Sequence, residues 1–245
     1  MTTSLRQCYA LKANHHDVFQ LFIHTENKMD IYTYPKSRSI RATWMAEELG
    51  LDYQCHFTDV MSAKKQVPGK NQKVPALSDN GLVIFESSAI CIYLAQTYGN
   101  GRFYPSHPEK QAIVNQWLAY IISELEGPLW IILRHAVVLP EAMRQPGAIE
   151  PAKADFLRAI KVIEQEISGK TWLCNDDFSV ADIFLFHISR WAMMLGFVLS
   201  EDLVHYTGEL EKRPALQRAR QREQQAAEKR TIKNTRRSGY SISQL

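Results

Sequence analysis

The hydrophobic pattern of this 245-residue chain changes its period once, between residues 100 and 107. Before that segment, short β-prone runs such as residues 31–34 alternate with helical runs such as residues 40–49. After it, apolar residues recur only at the three- to four-residue spacing of an amphipathic helix. The sequence therefore predicts an α+β fold with strands confined to the first part and an all-helical second part.

The order of elements in the first part defines its sheet. A helix at residues 40–49 separates the β-prone residues 31–34 from an alternating run at residues 53–57, which makes a β-α-β crossover. Two further apolar runs, residues 74–77 and 82–85, are joined through an Asn-Gly pair, the strongest short hairpin signal. With the helix that follows, these runs predict a mixed four-stranded sheet.

The second part contains clear helix signals. Pro108 stands where proline is favoured, in the first turn of a helix, and Gly127-Pro128 is expected to break that long helix. Ser179 and Asp182 form a variant of the capping box, in which side chains and backbone N–H groups of the first turn satisfy each other. We expect Asp182 to have a structural role.

The two ends of the chain differ from the two domains, which we place at residues 29–104 and 108–222. Residues 1–28 show no clear period and are interpreted as an N-terminal appendage. Although the net charge is +3, residues 212–245 hold ten Lys and Arg against two Glu. We expect residues 223–245 to be a basic, disordered tail. Because this tail lacks interleaved aromatic residues and a DNA-binding motif, a nucleic-acid partner is not expected.

Cysteine spacing and hydropathy exclude several classes of protein. The four cysteines lie far apart, without a Cys-x-x-Cys pair or the His/Cys spacing of a zinc site. No apolar run reaches the ~18 residues expected of a membrane-spanning helix. These patterns predict a cytoplasmic protein that needs no metal and does not enter a membrane.

Four separated patches together resemble the cytosolic glutathione transferase superfamily, over roughly residues 29–220. The first, residues 32–42, is similar to the strand, serine-bearing loop and helix start of serine-type bacterial and theta-like members. The other three are residues 73–77, 85–90 and 178–183. The resemblance implies a thioredoxin-like N-terminal domain, glutathione as co-substrate, and a two-fold homodimer.

Two serines of the first patch are candidates for the hydroxyl that stabilises the glutathione thiolate. A thiol of pKa about 8.5 is mostly protonated at neutral pH. A hydroxyl at a helix N-terminus favours the thiolate by donating a hydrogen bond and by adding the field of the helix dipole. Ser37 matches the serine of theta-like members, and we assign the catalytic role to it. Two alternatives stay open: Ser39 is the catalytic hydroxyl, or either serine only caps the helix.

Six residues of the second and third patches are assigned to glutathione binding. In the thioredoxin-like fold the proline of the second patch is cis, which frees the preceding backbone to pair with a peptide such as glutathione. An acid followed by a hydroxyl at a helix start suits the zwitterionic γ-glutamyl end, and polar residues before the proline suit the glycyl carboxylate. The six are Gln72, Lys73, Val74, Pro75, Glu86 and Ser87.

The resemblance also implies a second-substrate pocket beside the first long helix, and we assign Tyr120 and Arg134 to it. The implied reaction transfers the glutathione thiolate to a small hydrophobic electrophile, with glutathione peroxidase activity as a side reaction. A glutaredoxin-like disulfide reductase would need a nucleophilic cysteine at residues 35–38, where the sequence has none. The alternative from another class is a non-catalytic, glutathione-transferase-like binding or scaffold protein.

Overall fold

The structure is a computed structural model that describes residues 29–62, 66–174 and 177–237, with side chains described through residue 230. The predicted appendage at residues 1–28 and the end of the predicted tail, residues 238–245, lie outside the described residues.

The first domain is built on a mixed four-stranded sheet. Its strands are β1 (Met29–Thr33), β2 (Gln54–Phe57), β3 (Ala76–Asp79) and β4 (Leu82–Phe85). They lie in the order β2-β1-β3-β4, with β1 and β2 parallel and the other neighbouring pairs antiparallel. This arrangement confirms the predicted α+β fold class and the thioredoxin-like topology of the first domain.

Two helices complete the described part of the first domain. They are α1 (Ser39–Leu49), between β1 and β2, and α2 (Ser87–Tyr98), after the hairpin. In the hairpin turn Asn80 has φ 48° and Gly81 has φ 89°, as the predicted Asn-Gly turn requires. The Val74-Pro75 peptide bond immediately before β3 is cis, in agreement with the resemblance.

One long helical segment opens the second domain and contains two π-helical turns. Its parts are α3 (Pro108–Tyr120), a π-helical turn (Ile121–Glu126), α4 (Gly127–Leu133) and a second π-helical turn (Arg134–Val138). Pro128 has no backbone N–H, so the α-helical hydrogen bond to the carbonyl four residues earlier cannot form there. The break predicted at Gly127-Pro128 is thus a widened turn just before the proline, and the helix continues beyond it.

The remaining helices pack around this segment. After short 3₁₀ turns at Glu141–Met143 and Pro146–Ala148 come α5 (Ile149–Ile167), α6 (Val180–Met194), α7 (Glu201–Glu211) and α8 (Pro214–Arg237). The predicted capping box is formed at the start of α6. There the Asp182 carboxylate accepts hydrogen bonds from the Ser179 backbone N–H at 2.7 Å and from its hydroxyl at 2.9 Å.

A continuous apolar core joins the two domains. Trp44 of α1 packs against Phe178 and Phe186, with ring centroids 5.7 and 5.1 Å away. No helix in the described part of the chain combines the length and apolarity needed to cross a membrane.

The C-terminal segment differs from the sequence prediction. Residues 223–237 continue α8 and do not form a disordered tail. The helix is held against α1, where Arg218 donates a 2.8 Å hydrogen bond to Glu47 and where Glu223 is only 2% exposed. The basic residues that suggested a solvated tail therefore include partners for acids of α1, and sequence composition alone does not reveal such pairing.

Candidate functional site

The segment that leads from β1 into α1, residues 34–39 and here called the serine loop, holds both candidate serines but gives them different environments. Ser39 is buried, and its hydroxyl donates to the Tyr34 carbonyl at 2.9 Å and accepts from the Tyr34 N–H at 3.2 Å. Ser37 is half-buried, and its Oγ lies 3.1 Å from Ser39 Oγ. Ser39 therefore fixes the shape of the loop, whereas Ser37 lies at the surface of a cavity.

We call that cavity, of about 540 Å³, the Ser37 cavity. It is enclosed by the serine loop and by side chains of α6, α7 and α8, which include Phe186, His187, Trp191, Met194 and Glu223. A second cavity of about 350 Å³, the Arg38 cavity, is lined by Arg38, Lys73, Pro75, Glu86, Ser87 and Trp130. Consecutive loop residues, Ser37 and Arg38, thus face two different cavities.

The Arg38 guanidinium is held in place by aromatic rings and a carboxylate. It lies 4.8 Å from the ring centroid of Trp130 and 4.9 Å from that of Trp191. It also forms an ion pair with Glu126, the last residue of the first π-helical turn. These contacts fix a positive charge between the two cavities.

A second arginine lies behind the first. Arg41 is buried, with one guanidinium nitrogen 2.7 Å from Glu126 Oε2 and another donating to the Ser87 hydroxyl at 3.3 Å. Burial alone would raise the pKa of the Glu126 carboxyl, but Arg41 and Arg38 hold it below its usual value. One carboxylate faces two guanidinium groups, so the site keeps a net positive charge beside the N-terminus of α1 and suits an anionic ligand.

Comparison with known families decides the identity of the fold. The family described as "Glutathione S-transferase, N-terminal domain" matches residues 27–96, and "Glutathione S-transferase, C-terminal domain" matches residues 132–224. The chain belongs to the glutathione transferase family.

Similar proteins come from insects and bacteria. Glutathione S-transferase D7 of Drosophila melanogaster is 34% identical over 185 residues, which cover 71% of this chain and 79% of that protein. The disulfide-bond oxidoreductase YfcG of Escherichia coli is 28% identical, over 63% of this chain and 76% of its own length. A theta class glutathione S-transferase of Xanthomonas axonopodis pv. citri, solved with glutathione bound, superposes with a TM-score of 0.67. It is 26% identical, over 79% of this chain and 97% of that chain.

Four of the six residues predicted to bind glutathione line the Arg38 cavity of this family member: Lys73, Pro75, Glu86 and Ser87. The other two do not line it. The Gln72 side chain donates hydrogen bonds to the carbonyls of Val67 and Gly69 at 2.9 and 2.8 Å, so it closes its own loop. Val74 joins two lining residues but is not itself part of the cavity wall.

Glu86 has a different local role from the one expected at this helix start. It is the N-cap residue of α2, with φ 72° and an exposed side chain, and Ser87 is already the first residue of the helix. The Glu86 carboxylate forms no ion pair within the described residues, so it is available to a ligand.

The two residues assigned to the second-substrate pocket are not brought to Ser37. The Tyr120 hydroxyl donates to the Ala159 carbonyl of α5 at 3.0 Å, and Arg134 is exposed at the start of the second π-helical turn. Neither lines the Ser37 cavity. The reason is that α6 and α8, and not the first long helix, form the wall opposite the serine loop.

Sequence reasoning also missed several residues of the site. Arg38 and Arg41 lie inside the first patch at helical spacing, a signal that could have placed both at the start of α1. Glu126, His187 and Glu223 gave no such signal, because folding brings them from distant helices. No group of three or more His, Cys, Asp or Glu side chains suited to a metal ion is found within the described residues.

Proposed function

We propose that this member of the glutathione transferase family joins the glutathione thiolate to small hydrophobic electrophiles, with Ser37 as the catalytic hydroxyl. The observation that carries the proposal is that two neighbouring residues, Ser37 and Arg38, line two different cavities. Arg38 faces a polar cavity that contains most of the predicted glutathione-binding residues, and Ser37 faces a larger cavity with aromatic walls.

The chemistry follows from the position of Ser37 at the N-terminus of α1. Its hydroxyl can donate a hydrogen bond to sulfur, while the helix dipole and the Arg38 guanidinium add positive potential. Lowering the pKa of a thiol by one unit corresponds to about 1.4 kcal/mol in favour of the thiolate. The thiolate then attacks the electrophile, a new C–S bond forms, and the leaving group departs or the double bond accepts a proton.

The Arg38 cavity suits the charged ends of glutathione. Ser87 at the start of α2 suits the γ-glutamyl carboxylate, and Glu86, which has no ion-pair partner among the described residues, suits its ammonium group. Lys73 and Asn71, which also line this cavity, are placed for the glycyl carboxylate. Because its own side chain does not line the cavity, we assign only backbone contacts to Val74.

The experiment compares Ser37→Ala with Ser39→Ala. We expect Ser37→Ala to lower the rate of conjugation by about 100- to 1,000-fold, the range for losing one hydrogen-bond donor to a reacting anion, while glutathione affinity changes little. Ser39→Ala should instead lower stability, because the Tyr34 backbone loses its partner. Conjugation kinetics, glutathione titration and thermal melting separate the two effects. An inactive Ser39→Ala with an unaffected Ser37→Ala would show that the hydroxyl is wrongly assigned.

A second candidate reaction is the reduction of small disulfides, because the similar protein YfcG is a disulfide-bond oxidoreductase. The same thiolate would attack one sulfur of the disulfide, the S–S bond would break, and the leaving thiolate would take a proton. A second glutathione would then release oxidised glutathione. Parallel assays with 2-hydroxyethyl disulfide and 1-chloro-2,4-dinitrobenzene measure which reaction is faster.

We also propose that the chain works as a two-fold homodimer in the cytoplasm. Apolar side chains are exposed on β4 and on the long helical segment, the two elements expected at the interface. Reduced glutathione and widely spaced cysteines both suit a reducing compartment.

A further inference from the structure

His187 on α6 is a buried polar residue for which the described part of the chain provides no polar partner. It is 6% exposed, and neither ring nitrogen takes part in a hydrogen bond to the described residues. The ring packs edge-on against Trp191, with centroids 5.1 Å apart. Most buried polar groups in proteins have hydrogen-bond partners, so His187 is an exception that needs a physical explanation.

Burial and the nearby positive charges keep the His187 ring neutral. Burial, reinforced by the nearby Arg41 and Arg38 guanidinium groups, holds the pKa of His187 well below its ordinary value. Lys36, Arg190 and Glu223, from the serine loop, α6 and α8, also line this cavity. A neutral imidazole offers one N–H donor and one acceptor nitrogen.

The two nitrogens differ in their surroundings. Nδ1 is enclosed and finds no hydrogen-bond partner within the described residues, whereas Nε2 is not among the enclosed unpaired atoms. Since the His187 side chain lines the Ser37 cavity, Nε2 is the nitrogen left to contact a ligand there. An enclosed N–H without an acceptor is rarer in proteins than an enclosed acceptor without a donor. The proton is therefore best placed on Nε2, from which it can be donated into the Ser37 cavity.

We propose that His187 donates a hydrogen bond from Nε2 to an uncharged oxygen of the second substrate, and that this contact selects α,β-unsaturated carbonyl compounds. The inference rests on the proposed transferase function and assigns a substrate class to the same site. Aromatic and aliphatic walls from Phe186, Trp191 and Met194 accommodate the hydrocarbon part.

The addition reaction shows at which atom a hydrogen-bond donor is needed. The thiolate forms a bond to the β-carbon, and the π electrons of the double bond move onto the carbonyl oxygen, which becomes an enolate oxygen. A proton from water then completes the product at the α-carbon. Since negative charge develops on the oxygen in the transition state, a fixed N–H donor lowers the barrier more than it strengthens substrate binding.

The experiment uses two electrophiles with chains of six carbons, trans-2-hexenal and 1-iodohexane, of which only the first has an oxygen. We expect His187→Phe to lower kcat for trans-2-hexenal by about 10- to 100-fold and to leave 1-iodohexane conjugation within about threefold. Glutathione affinity should be unchanged. Thermal stability should be equal or higher, because an unsatisfied polar group is replaced by an apolar ring of similar shape.

Two conservative variants serve as matched controls. The amide nitrogen of Gln reaches the position of Nε2, whereas that of Asn reaches the position of Nδ1. His187→Gln should therefore recover much of the trans-2-hexenal activity, and His187→Asn should not.

The possible outcomes test the role of His187 separately from the proposed transferase function. Equal loss with both electrophiles, or no loss with trans-2-hexenal, overturns the role of His187 while the transferase function stands. A wild-type protein that conjugates 1-iodohexane but not trans-2-hexenal overturns the substrate class. A wild-type protein that binds glutathione but conjugates neither compound overturns the proposed function itself.

Discussion

Glu223 is a carboxylic acid that the fold keeps away from water. It extends from α8 to the serine loop and α1, where it accepts a 3.0 Å hydrogen bond from the Thr43 hydroxyl. Burial raises its pKa to about 7, although hydrogen bonds from Ser39 and Thr43 act in the opposite direction. Around neutral pH this residue is therefore divided between its protonated and ionised forms.

This shift predicts a pH-dependent stability. The unfolded carboxyl has a pKa of about 4.3, so the contribution of Glu223 is fully present below that value and is lost as pH rises through about 7. The difference of about 2.7 units corresponds to a loss on the order of 4 kcal/mol. Glu223→Gln should abolish this pH-dependent contribution to stability. The variant should therefore exceed the wild type in free energy of unfolding at pH 8 but not at pH 5.

Urea denaturation at several pH values between 5 and 8 measures the effect. Glu228→Gln makes the same chemical change on an exposed face of the same helix and should leave the pH dependence as it is. Identical pH profiles for the wild type and Glu223→Gln would show that the carboxyl titrates normally.

At this scale the sequence predicts what is local and misses what folding assembles. Pro75, Glu86 and Ser87, which line the Arg38 cavity, were predicted from short motifs. Ser37 was assigned over Ser39 only through the family resemblance, because the different contacts that the two serines make with Tyr34 and the cavity do not follow from the sequence. His187 was missed because, in the sequence, it is one residue among the apolar positions of a buried helix.

The start of α6 depends on a single carboxylate. Besides two groups of Ser179, Asp182 accepts hydrogen bonds from the Leu173 N–H at 2.9 Å and from the Tyr206 hydroxyl at 2.5 Å. Asp182→Ala would leave these buried donors without a partner. We expect it to lower the free energy of unfolding by about 3 to 5 kcal/mol, with little change in turnover per folded molecule.

Chemical denaturation and glutathione titration test this prediction. Asp202→Ala is a suitable control, because Asp202 is an exposed acid at the start of α7 with one hydrogen bond, from Ser168. Its loss should change stability by less than about 1 kcal/mol. If Asp182→Ala melts normally but no longer binds glutathione, the carboxylate is part of the ligand site.

Elements determined by a short local motif were predicted well, and those that depend on the surrounding fold were not. The hairpin at Asn80-Gly81 and the capping box follow from local chemistry. The π-helical turn before Pro128 was not predicted, because its pitch depends on how the helix accommodates the missing N–H. The extension of α8 to Arg237 does not follow from local chemistry either, since it depends on contacts with residues of α1 that are distant in the sequence.

The assembly of two chains is testable at a single position on β4. Val83 is 42% exposed on this edge strand, between Leu82 and Ile84. Because apolar edge strands are normally covered, we expect Val83→Asp to weaken the dimer and shift the mass in solution toward the 28.2 kDa of one chain.

Sedimentation equilibrium at micromolar concentration gives the readout. Val204→Asp is the matched control, because Val204 is 46% exposed on α7, away from the expected interface, and its variant should remain dimeric. A wild-type protein that sediments as a monomer would contradict the proposed dimer.

For the whole molecule, the sequence determined the fold class because the order of strands and helices permits few topologies. It did not predict that the last helix lies against the first one. That contact joins residues far apart in the chain, and the basic composition of α8 gives no indication of its partner.

The contact between α8 and α1 also has a consequence for biosynthesis. Thr43 and Glu223, which form a hydrogen bond, are separated by 180 positions. At a translation rate of ~5 to 20 residues per second, the ribosome takes about 10 to 35 s to make the chain between them. During that time the nascent first domain exposes the side of α1 that α8 later covers, so the wall of the Ser37 cavity is completed only after α8 has been made.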